Sequence, residues 1–297
     1  MIASTGVGAG AVFRWERYSR QHSDSERSGT SIMRWTFAIL TLAIPADVAC
    51  AQTVRVATYN LNYANQSGDA VLNAIAEADA DVLCLQETTP NSERFLRKKL
   101  AVMYPEFHAV GHEGKHFAER FVIASKLKPR DLVFVPPRDG PFGFYHATFN
   151  FEGTDIQIVN VHLLPFVVPR NATIADAMKA GSATEATHAK EIAAILNVAN
   201  GDQPAIVVGD FNSLSKFAAP MALIDSGFID SYASVHENAD THFTWQWPTR
   251  PIPLRLRIDY VYHSKHFRTV DSAIIRREGS DHSLVVAALE NTKGTEP

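Results

Sequence analysis

The amino-acid sequence predicts a single compact α/β domain from about Gln52 to Glu290. Short runs rich in Val, Ile and Phe recur along this stretch, and segments with helical spacing of apolar residues lie between them. Hairpin-like connections between several of the runs indicate mixed rather than purely parallel sheets. No internal repeat or low-complexity linker divides the stretch, so one domain is the simplest interpretation.

The composition excludes several classes of protein. The chain has 297 residues, of which 46% are hydrophobic and 20% charged, and its 28 basic and 32 acidic side chains give a formal charge of −4. These values exclude a disordered tail, a collagen-like repeat and a basic nucleic-acid wrapper. The length is sufficient to bury a hydrophobic core.

Residues 1–51 have the pattern of a targeting segment. Met33 and a basic residue precede the apolar run Trp35–Ile44, and small residues follow at Ala49 and Ala51. This order predicts a secretory signal cleaved after Ala51, with Met33 as a second candidate start; a short amphipathic helix is the alternative. The run of about ten residues is too short to cross a bilayer, which needs about 20. We therefore expect a secreted or periplasmic protein without a transmembrane anchor.

Removal of this segment changes the charge and the cysteine content. Residues 1–51 hold five basic and four acidic side chains, so the remainder keeps 23 basic and 28 acidic ones, a formal charge of −5. A net-acidic domain is poorly suited to tracking a long polyanion. Cys84 is then the only cysteine, and no disulfide is predicted. Cys50 as a lipid attachment site is the alternative, which Asp47 disfavours.

The predicted elements follow one another along the domain. Seven apolar runs predict strands over 54–59, 81–86, 121–125, 156–162, 205–210, 257–263 and 283–290. Further strands are predicted near 132–135, 144–151 and 267–275. Helical spacing predicts helices over 69–78, 93–103 and 186–199. Long loops are predicted over 135–143, 165–181 and 241–253, of which 165–181 is a candidate substrate lid or a plain surface insertion.

Polar side chains interrupt or follow the apolar runs at similar places. They are Asn60, Glu87, His162, Asp210, Asn212, Asp259, Asp281 and His282. Each one alone is explained as a turn residue, a helix cap or a structural histidine. Because strand ends of an α/β domain gather at one edge, the recurrence predicts that these side chains converge on one cleft.

Four carboxylates in one cleft require a compensating cation, since like charges so close raise one another's pKa values. Mg²⁺ takes oxygen ligands and keeps several waters, which suits Glu87 with Asn60 and one or two of Asp210, Asp259 and Asp281. Mn²⁺ and Ca²⁺ are alternatives. The sequence has no Cys/His cluster with zinc spacing. The two histidines are then available as acid, base or phosphate donor.

Six strings carry a resemblance to a known family. They are ATYNL (57–61), LCLQE (83–87), VNVHL (159–163), VVGDFN (207–212), RIDYV (257–261) and SDHSLV (280–285). In this order they resemble the endonuclease/exonuclease/phosphatase superfamily, the deoxyribonuclease-I-like metal-dependent phosphoesterases. The resemblance implies one catalytic domain over 52–297. It also implies a four-layer αββα sandwich of two packed mixed β-sheets flanked by helices, with the active site at one end.

The resemblance also implies roles for the matched residues. Glu87 resembles the principal Mg²⁺ ligand, assisted by Asn60 and Asp281. His282 resembles a general base on the attacking water, oriented by Asp259. The implied reaction is in-line attack of water on phosphorus.

The remaining matched residues are expected to contact the phosphate. His162 resembles a second catalytic histidine at the scissile phosphate, and Asp210 and Asn212 resemble the pair that binds metal or nucleophile and phosphate.

Many family members have an Arg in the strand before the N-x-H motif, and this sequence departs from that pattern. Tyr145 and His146 occupy the place of the Arg. Tyr145, His146 or Arg120 is then a candidate phosphate donor. Tyr145 and His146 lack the planar guanidinium with which an Arg binds phosphate through two hydrogen bonds.

The substrate class stays open, because the core residues handle phosphate and do not define the leaving group. A nuclease-like phosphodiesterase, a sphingomyelinase-like lipid phosphodiesterase and a phosphomonoesterase are the candidates, with nucleic acid, phospholipid or a small phosphate ester as substrate. The aromatic residues Phe243, Trp245 and Trp247 stack on bases, touch a lipid surface or fill the core. A non-catalytic binding relative is the alternative class, disfavoured because the residue set is complete.

A local basic patch also favours a nucleic-acid substrate. Its members are Arg250, Arg255 and Arg257, which we predict to be able to hold a short strand. No obligate protein partner is predicted.

Overall fold

The computed structural model describes residues 53–65, 67–111, 118–167, 173–248 and 252–292. All of these belong to one compact unit, Ala49–Pro297. The predictions for residues 1–51 lie outside the described residues. Within the described ranges, no helix has both the length and the apolar character needed to span a bilayer.

Two six-stranded mixed sheets form the centre of the domain, with strands numbered in chain order. The first contains, in spatial order, Phe267–Ile275 (β13), Leu284–Asn291 (β14), Thr53–Asn60 (β1), Val82–Gln86 (β2), Arg120–Ser125 (β4) and Glu106–Gly111 (β3). The second contains Pro129–Val135 (β5), Phe144–Phe151 (β6), Thr154–His162 (β7), Ala205–Asp210 (β8), Asp259–His263 (β12) and Ile229–Asp230 (β9). Trp245–Trp247 (β10) and Leu254–Leu256 (β11) form a separate antiparallel ribbon.

Each sheet has one parallel pair, β1 with β2 and β7 with β8, and its other pairs are antiparallel. All predicted strands are present, so the mixed-sheet prediction is confirmed. Four short or edge strands, β3, β9, β10 and β11, are not predicted, and β10 lies within the predicted loop 241–253. In β3, Phe107 is the one buried residue, so the apolar pattern is weak.

The helices are Gly68–Ala78 (α1), Pro90–Leu100 (α2), Ile174–Leu196 (α3), Ala218–Asp225 (α4) and Ser231–Val235 (α5). Apolar residues of α1 and α2, such as Ile75 and Leu96, share a core with Leu85 of the first sheet. Residues of α3 and α4 share another core with the second sheet. A third core lies between the sheets. This order of layers confirms the four-layer αββα sandwich.

The helices differ from the prediction in several bounds, and the start of α3 differs most. Helix α2, Pro90–Leu100, begins and ends three residues before the predicted 93–103, and α3 ends at Leu196 instead of 199. The short helices α4 and α5 are not predicted. Helix α3 begins at Ile174, twelve residues before the predicted start, so residues 174–181 are helix and not loop. A capping box between Thr173 and Asp176 starts the helix. Its first turns are mostly exposed, so they carry no buried apolar stripe that the sequence pattern reveals.

Gly209 is a position where only glycine fits. It lies in β8 opposite Val161 of β7, next to the last residue of the strand. Its φ is +148°, and a Cβ added there would lie 2.0 Å from the backbone oxygen of Val161. The close approach lets β7 and β8 end side by side.

We therefore expect Gly209→Ala to lower the free energy of unfolding by at least about 3 kcal/mol, because the backbone of the parallel pair must separate. The matched control is Gly153→Ala. Gly153 also has a positive φ, +79°, but a Cβ added there would meet nothing within 4 Å. The control should cost only about 1–2 kcal/mol of left-handed strain. Urea unfolding followed by circular dichroism measures both, and equal losses would contradict the account.

Candidate functional site

Strand ends from both sheets meet at one end of the sandwich. Asn60 ends β1, and Glu87 directly follows β2, the parallel neighbour of β1. In the second sheet, His162 ends β7 and pairs with Asp210 at the end of β8, which pairs in turn with Asp259 at the start of β12. The strand registers therefore place these five polar side chains along one edge, as the sequence predicts.

Asn60 connects the carboxylates of the two sheets. Its Nδ2 donates to Glu87 Oε1 at 3.0 Å and to Asp210 Oδ2 at 2.9 Å. Its Oδ1 accepts from the backbone N–H of Asn62 at 2.9 Å, which fixes the orientation of the amide because a backbone N–H only donates. The side chain thus acts here as a donor between carboxylates, and its role as a metal ligand stays a prediction.

Two of the site residues have a left-handed backbone. Glu87 has φ +52° and Asn212 has φ +47°, and each lies just after a strand. Such a conformation costs about 1–2 kcal/mol for a residue with a Cβ. It turns the chain sharply at the strand end, and the backbone N–H of Tyr63 then donates to Glu87 Oε2 at 3.2 Å. The Asn212 N–H donates to Asp210 Oδ1 at 2.9 Å.

His162 presents one nitrogen to the carboxylates. Its Nδ1 lies 3.3 Å from the backbone oxygen of Ala118, which only accepts, so Nδ1 carries the hydrogen. Phe142 stacks on the ring, with centroids 4.2 Å apart and planes at 12°. Nε2 lies 3.6 Å from Glu87 Oε1 and 3.7 Å from Asp210 Oδ2. Burial lowers the pKa of His162, so its Nε2 lone pair faces two carboxylate oxygens.

His282 also faces the carboxylate of Asp210. Its Nδ1 lies 3.0 and 3.1 Å from the two oxygens of Asp259, and its Nε2 lies 3.7 Å from Asp210 Oδ2. Burial opposes the imidazolium, but the charges of Asp259 and Asp210 outweigh it and raise the pKa of His282. At Asp210, burial raises the pKa, and the positive charge of His282 opposes this rise.

The ligand atoms fall into two overlapping groups. One atom each from Glu87, His162 and Asp210 lie within 4.8 Å of one another, and so do atoms from Asp210, Asp259 and His282. Three carboxylates and two imidazoles supply mainly hard oxygen ligands and an excess of negative charge. This donor set fits a divalent cation.

Asp281 lies beside the cluster with both oxygens occupied. Oδ1 accepts from Asn62 Nδ2 at 2.9 Å, and Oδ2 accepts from Trp245 Nε1 at 3.0 Å. Asp281 is absent from both groups of ligand atoms found among the described residues. Asn62 is a site residue that the sequence pattern does not single out, although its spacing of two from Asn60 is compatible with a shared turn.

The aromatic triplet does not fill the core, which excludes one of its three predicted roles. Trp247 is 51% exposed, and Trp245 and Phe243 are half-buried. The indoles of Trp245 and Trp247 stack with centroids 6.1 Å apart, and Trp245 forms a backbone bridge with His282. The ribbon of β10 and β11 therefore adjoins the site.

The contacts of the three candidate phosphate donors lie away from the carboxylate cluster. Tyr145 packs in the core between the sheets, where burial raises its pKa to about 12. His146, the next residue along β6, points to the opposite face, and burial lowers its pKa. Arg120 makes a bidentate pair with Glu93, in which Nε and Nη2 donate to the two carboxylate oxygens at 2.7 and 2.8 Å. The structure thus does not bring this trio to the carboxylate cluster.

The predicted basic patch does not form as expected. Arg257 is buried, and its guanidinium pairs with Asp230 at 2.7 Å and Asp240 at 2.9 Å. Arg255 lies over the ring of Phe243 at 4.6 Å. Residue 250 lies outside the described residues. Arg257 is therefore a structural residue whose charge is neutralised.

Comparisons with known proteins agree with this geometry. The model of the Endonuclease/Exonuclease/phosphatase family matches residues 57–282. No curated protein has a significantly similar sequence. Among solved structures, D. rerio TDP2 complexed with single-strand DNA product is 19% identical with a TM-score of 0.60, covering 80% of this chain and 99% of that one.

Two further structures share the fold. The human Nocturnin catalytic domain with bound sulfate anion is 17% identical with a TM-score of 0.60, covering 81% of this chain and 95% of that one. A family protein from Leptotrichia buccalis is 18% identical with a TM-score of 0.59, covering 80% and 99%. At these identities, the likeness establishes the fold.

The carboxylate cluster predicts that divalent cations stabilise the folded protein. At 100 times its Kd, Mg²⁺ or Mn²⁺ should raise the free energy of unfolding by about 2.7 kcal/mol. Glu87→Gln should abolish most of this rise, because it removes a ligand charge. Glu106→Gln is the control, since Glu106 pairs with His108 in β3. Thermal unfolding with and without the metal measures the effect, and an undiminished rise in Glu87→Gln would contradict the assignment.

Proposed function

This chain belongs to the endonuclease/exonuclease/phosphatase family, and from that premise we propose that it is a Mg²⁺-dependent phosphodiesterase with a nuclease-like mechanism. One observation carries the proposal: the imidazole of His282, held by Asp259, faces Asp210, while Glu87 and His162 close the opposite side. The cluster thus combines a base, its orienting carboxylate and a cation site. Each has a defined task in the attack of water on phosphorus.

Glu87 and Asp210 are the residues that would hold the cation, with Asn60 between them. Bound there, Mg²⁺ would supply positive charge to the phosphate oxygens and lower the pKa of a coordinated water. Mn²⁺ or Ca²⁺ fits the same oxygen ligands with different distances and numbers of waters.

His282 would take the proton of the attacking water at Nε2. In the neutral imidazole, which is the form that acts as a base, the Nδ1 hydrogen is directed to Asp259 and the Nε2 lone pair faces the cluster. The Asp259 carboxylate holds the ring orientation and stabilises the imidazolium that forms. Because the pair is buried, this stabilisation is stronger than it would be in water.

His162 would act from the other sheet. Its Nδ1–H donates to the backbone oxygen of Ala118, so Nε2 is the nitrogen within reach of a phosphate oxygen or a leaving-group oxygen. A phosphate oxygen at Nε2 would favour the protonated ring, which would then donate to that oxygen and stabilise its developing charge. Asn212 supports this strand end, because its Nδ2 donates to the backbone oxygen of Leu163 at 3.0 Å.

A short or small phosphodiester suits this chain best. The formal charge of −5 after residue 51 and the neutralised Arg257 disfavour a long polyanion. A phosphomonoester and a sphingomyelin-like lipid are alternatives that the same core residues serve, and the exposed Trp247 beside the site suits a base or a lipid. Screening supercoiled DNA, RNA, sphingomyelin and sugar phosphates distinguishes them. We propose a secreted or periplasmic location, on the signal-like pattern of residues 1–51.

Hydrolysis of bis-p-nitrophenyl phosphate tests the proposed reaction. We expect turnover with Mg²⁺ and none with EDTA. His282→Ala should lower kcat/KM by at least about 10³-fold, because the base and its partner act as a unit. His108→Ala in β3 is the control and should keep full activity. Turnover that survives EDTA or His282→Ala would overturn the proposal in favour of a contaminant or a non-catalytic relative.

A further inference from the structure

We propose that Glu191 of α3 is a positioning residue for His162, acting through the backbone of Leu164 and through the loop that carries Phe142. The inference rests on the proposed role of His162 at the phosphate. It concerns a group outside the carboxylate cluster, on the outer side of the second sheet.

The chain leaves the sheet directly after His162, so its next peptide groups need partners outside β7. The N–H of Leu163 donates to the backbone oxygen of Asp210 at 3.0 Å. The oxygen of Leu163 accepts from Asn212 Nδ2 at 3.0 Å. These two bonds tie the chain to the neighbouring strand end.

Side chains of α3 hold the following peptide. The N–H of Leu164 donates to Glu191 Oε2 at 3.2 Å, and the oxygen of Leu164 lies 2.8 Å from His188 Nε2. His188 and Glu191 are one helical turn apart, so both reach the same residue. Helix α3 therefore fixes where the chain runs two residues after His162.

The second oxygen of Glu191 lies against the loop that carries Phe142. A Cβ added at Gly140 would lie 1.6 Å from Glu191 Oε1, so only a glycine lets the loop approach this closely. Two residues later, Phe142 stacks on His162 at 4.2 Å. One carboxylate thus contacts both segments that determine the position of the imidazole.

Packing alone does not explain a carboxyl at this position. Glu191 is 8% exposed, and burial raises its pKa to about 7. A buried carboxyl with few hydrogen bonds is unfavourable compared with an apolar side chain. It also lines a cavity of about 240 Å³ together with Leu163 and Ile195, which leaves room for the chain to shift when the tether is absent.

Kinetics of three variants test the proposal. We expect Glu191→Ala to lower kcat for bis-p-nitrophenyl phosphate by about 10- to 100-fold, the range for residues that orient a site from behind it, with KM changed less than about threefold. Glu191→Gln should keep kcat within about threefold, because its amide oxygen still accepts from Leu164. Ile195→Val, a core truncation on the same helix, is the control and should leave kcat unchanged.

Gly140→Ala tests the same tether from the loop side. The new methyl group should displace the Glu191 carboxylate, lower kcat as Glu191→Ala does, and add little in the double variant, since the two changes break one contact. If Glu191→Ala does not fold, the kcat of Gly140→Ala alone tests whether Glu191 positions His162. Unchanged kcat in Gly140→Ala, or full additivity, would overturn the proposal, as would a Gln variant as impaired as the Ala variant.

A measurement on the metal-free protein separates this inference from the proposed function. In NMR spectra, the ring protons of His162 should lose the ring-current shift from Phe142 in Glu191→Ala and retain it in Glu191→Gln and Ile195→Val. Unmoved His162 signals in Glu191→Ala would overturn the positioning role even if the kinetics changed. If the wild type hydrolyses nothing, the proposed function fails, and the NMR result still decides what Glu191 positions.

Discussion

Concentrated negative charge at a buried sheet edge is the constraint on which the structure depends. Glu87, Asp210 and Asp259 come together there; Asp210 and Asp259 are buried, Glu87 is half-buried, and both nearby imidazoles are buried. Carboxylates in that setting are costly unless each has a partner. Asn60 bridges two of them and His282 faces two, which leaves a negative excess suited to a divalent cation. The arrangement that is unfavourable for stability is the one the chemistry requires.

The fold produces this arrangement through strand registers that end together. Parallel pairing of β1 with β2 and of β7 with β8 puts their carboxyl ends at one edge, and Gly209 permits the close approach in the second pair. The left-handed backbone at Glu87 and Asn212 then turns the chain immediately after each strand. Around this edge lies an outer shell in which Asn62 and Trp245 hold Asp281 and, by our inference, Glu191 holds the segment after His162.

The sequence predicts the inner part of this site better than the outer part. Asn60, Glu87, His162 and Asp210 follow strongly apolar runs, so their convergence follows from strand topology alone. The contacts of Asp281, and the tether from Glu191, join elements far apart in the chain, and no periodic pattern encodes them. Tyr145 shows a further limit of prediction from sequence. Successive residues of β6 point to opposite faces of the sheet, so an error of one residue in register decides whether Tyr145 is placed in the core or on the other face. The early start of α3 was missed because exposed turns lack an apolar stripe.

The position of the cation is the most direct test of the central claim. Crystals grown with MnCl₂ and measured at the manganese absorption edge reveal where the ion binds, independently of any substrate. We expect an anomalous peak about 2.1 Å from carboxylate oxygens of Glu87 or Asp210, within reach of His162 Nε2. A fully occupied ion elsewhere on the chain, with none at the meeting point of β1, β2, β7 and β8, would contradict it.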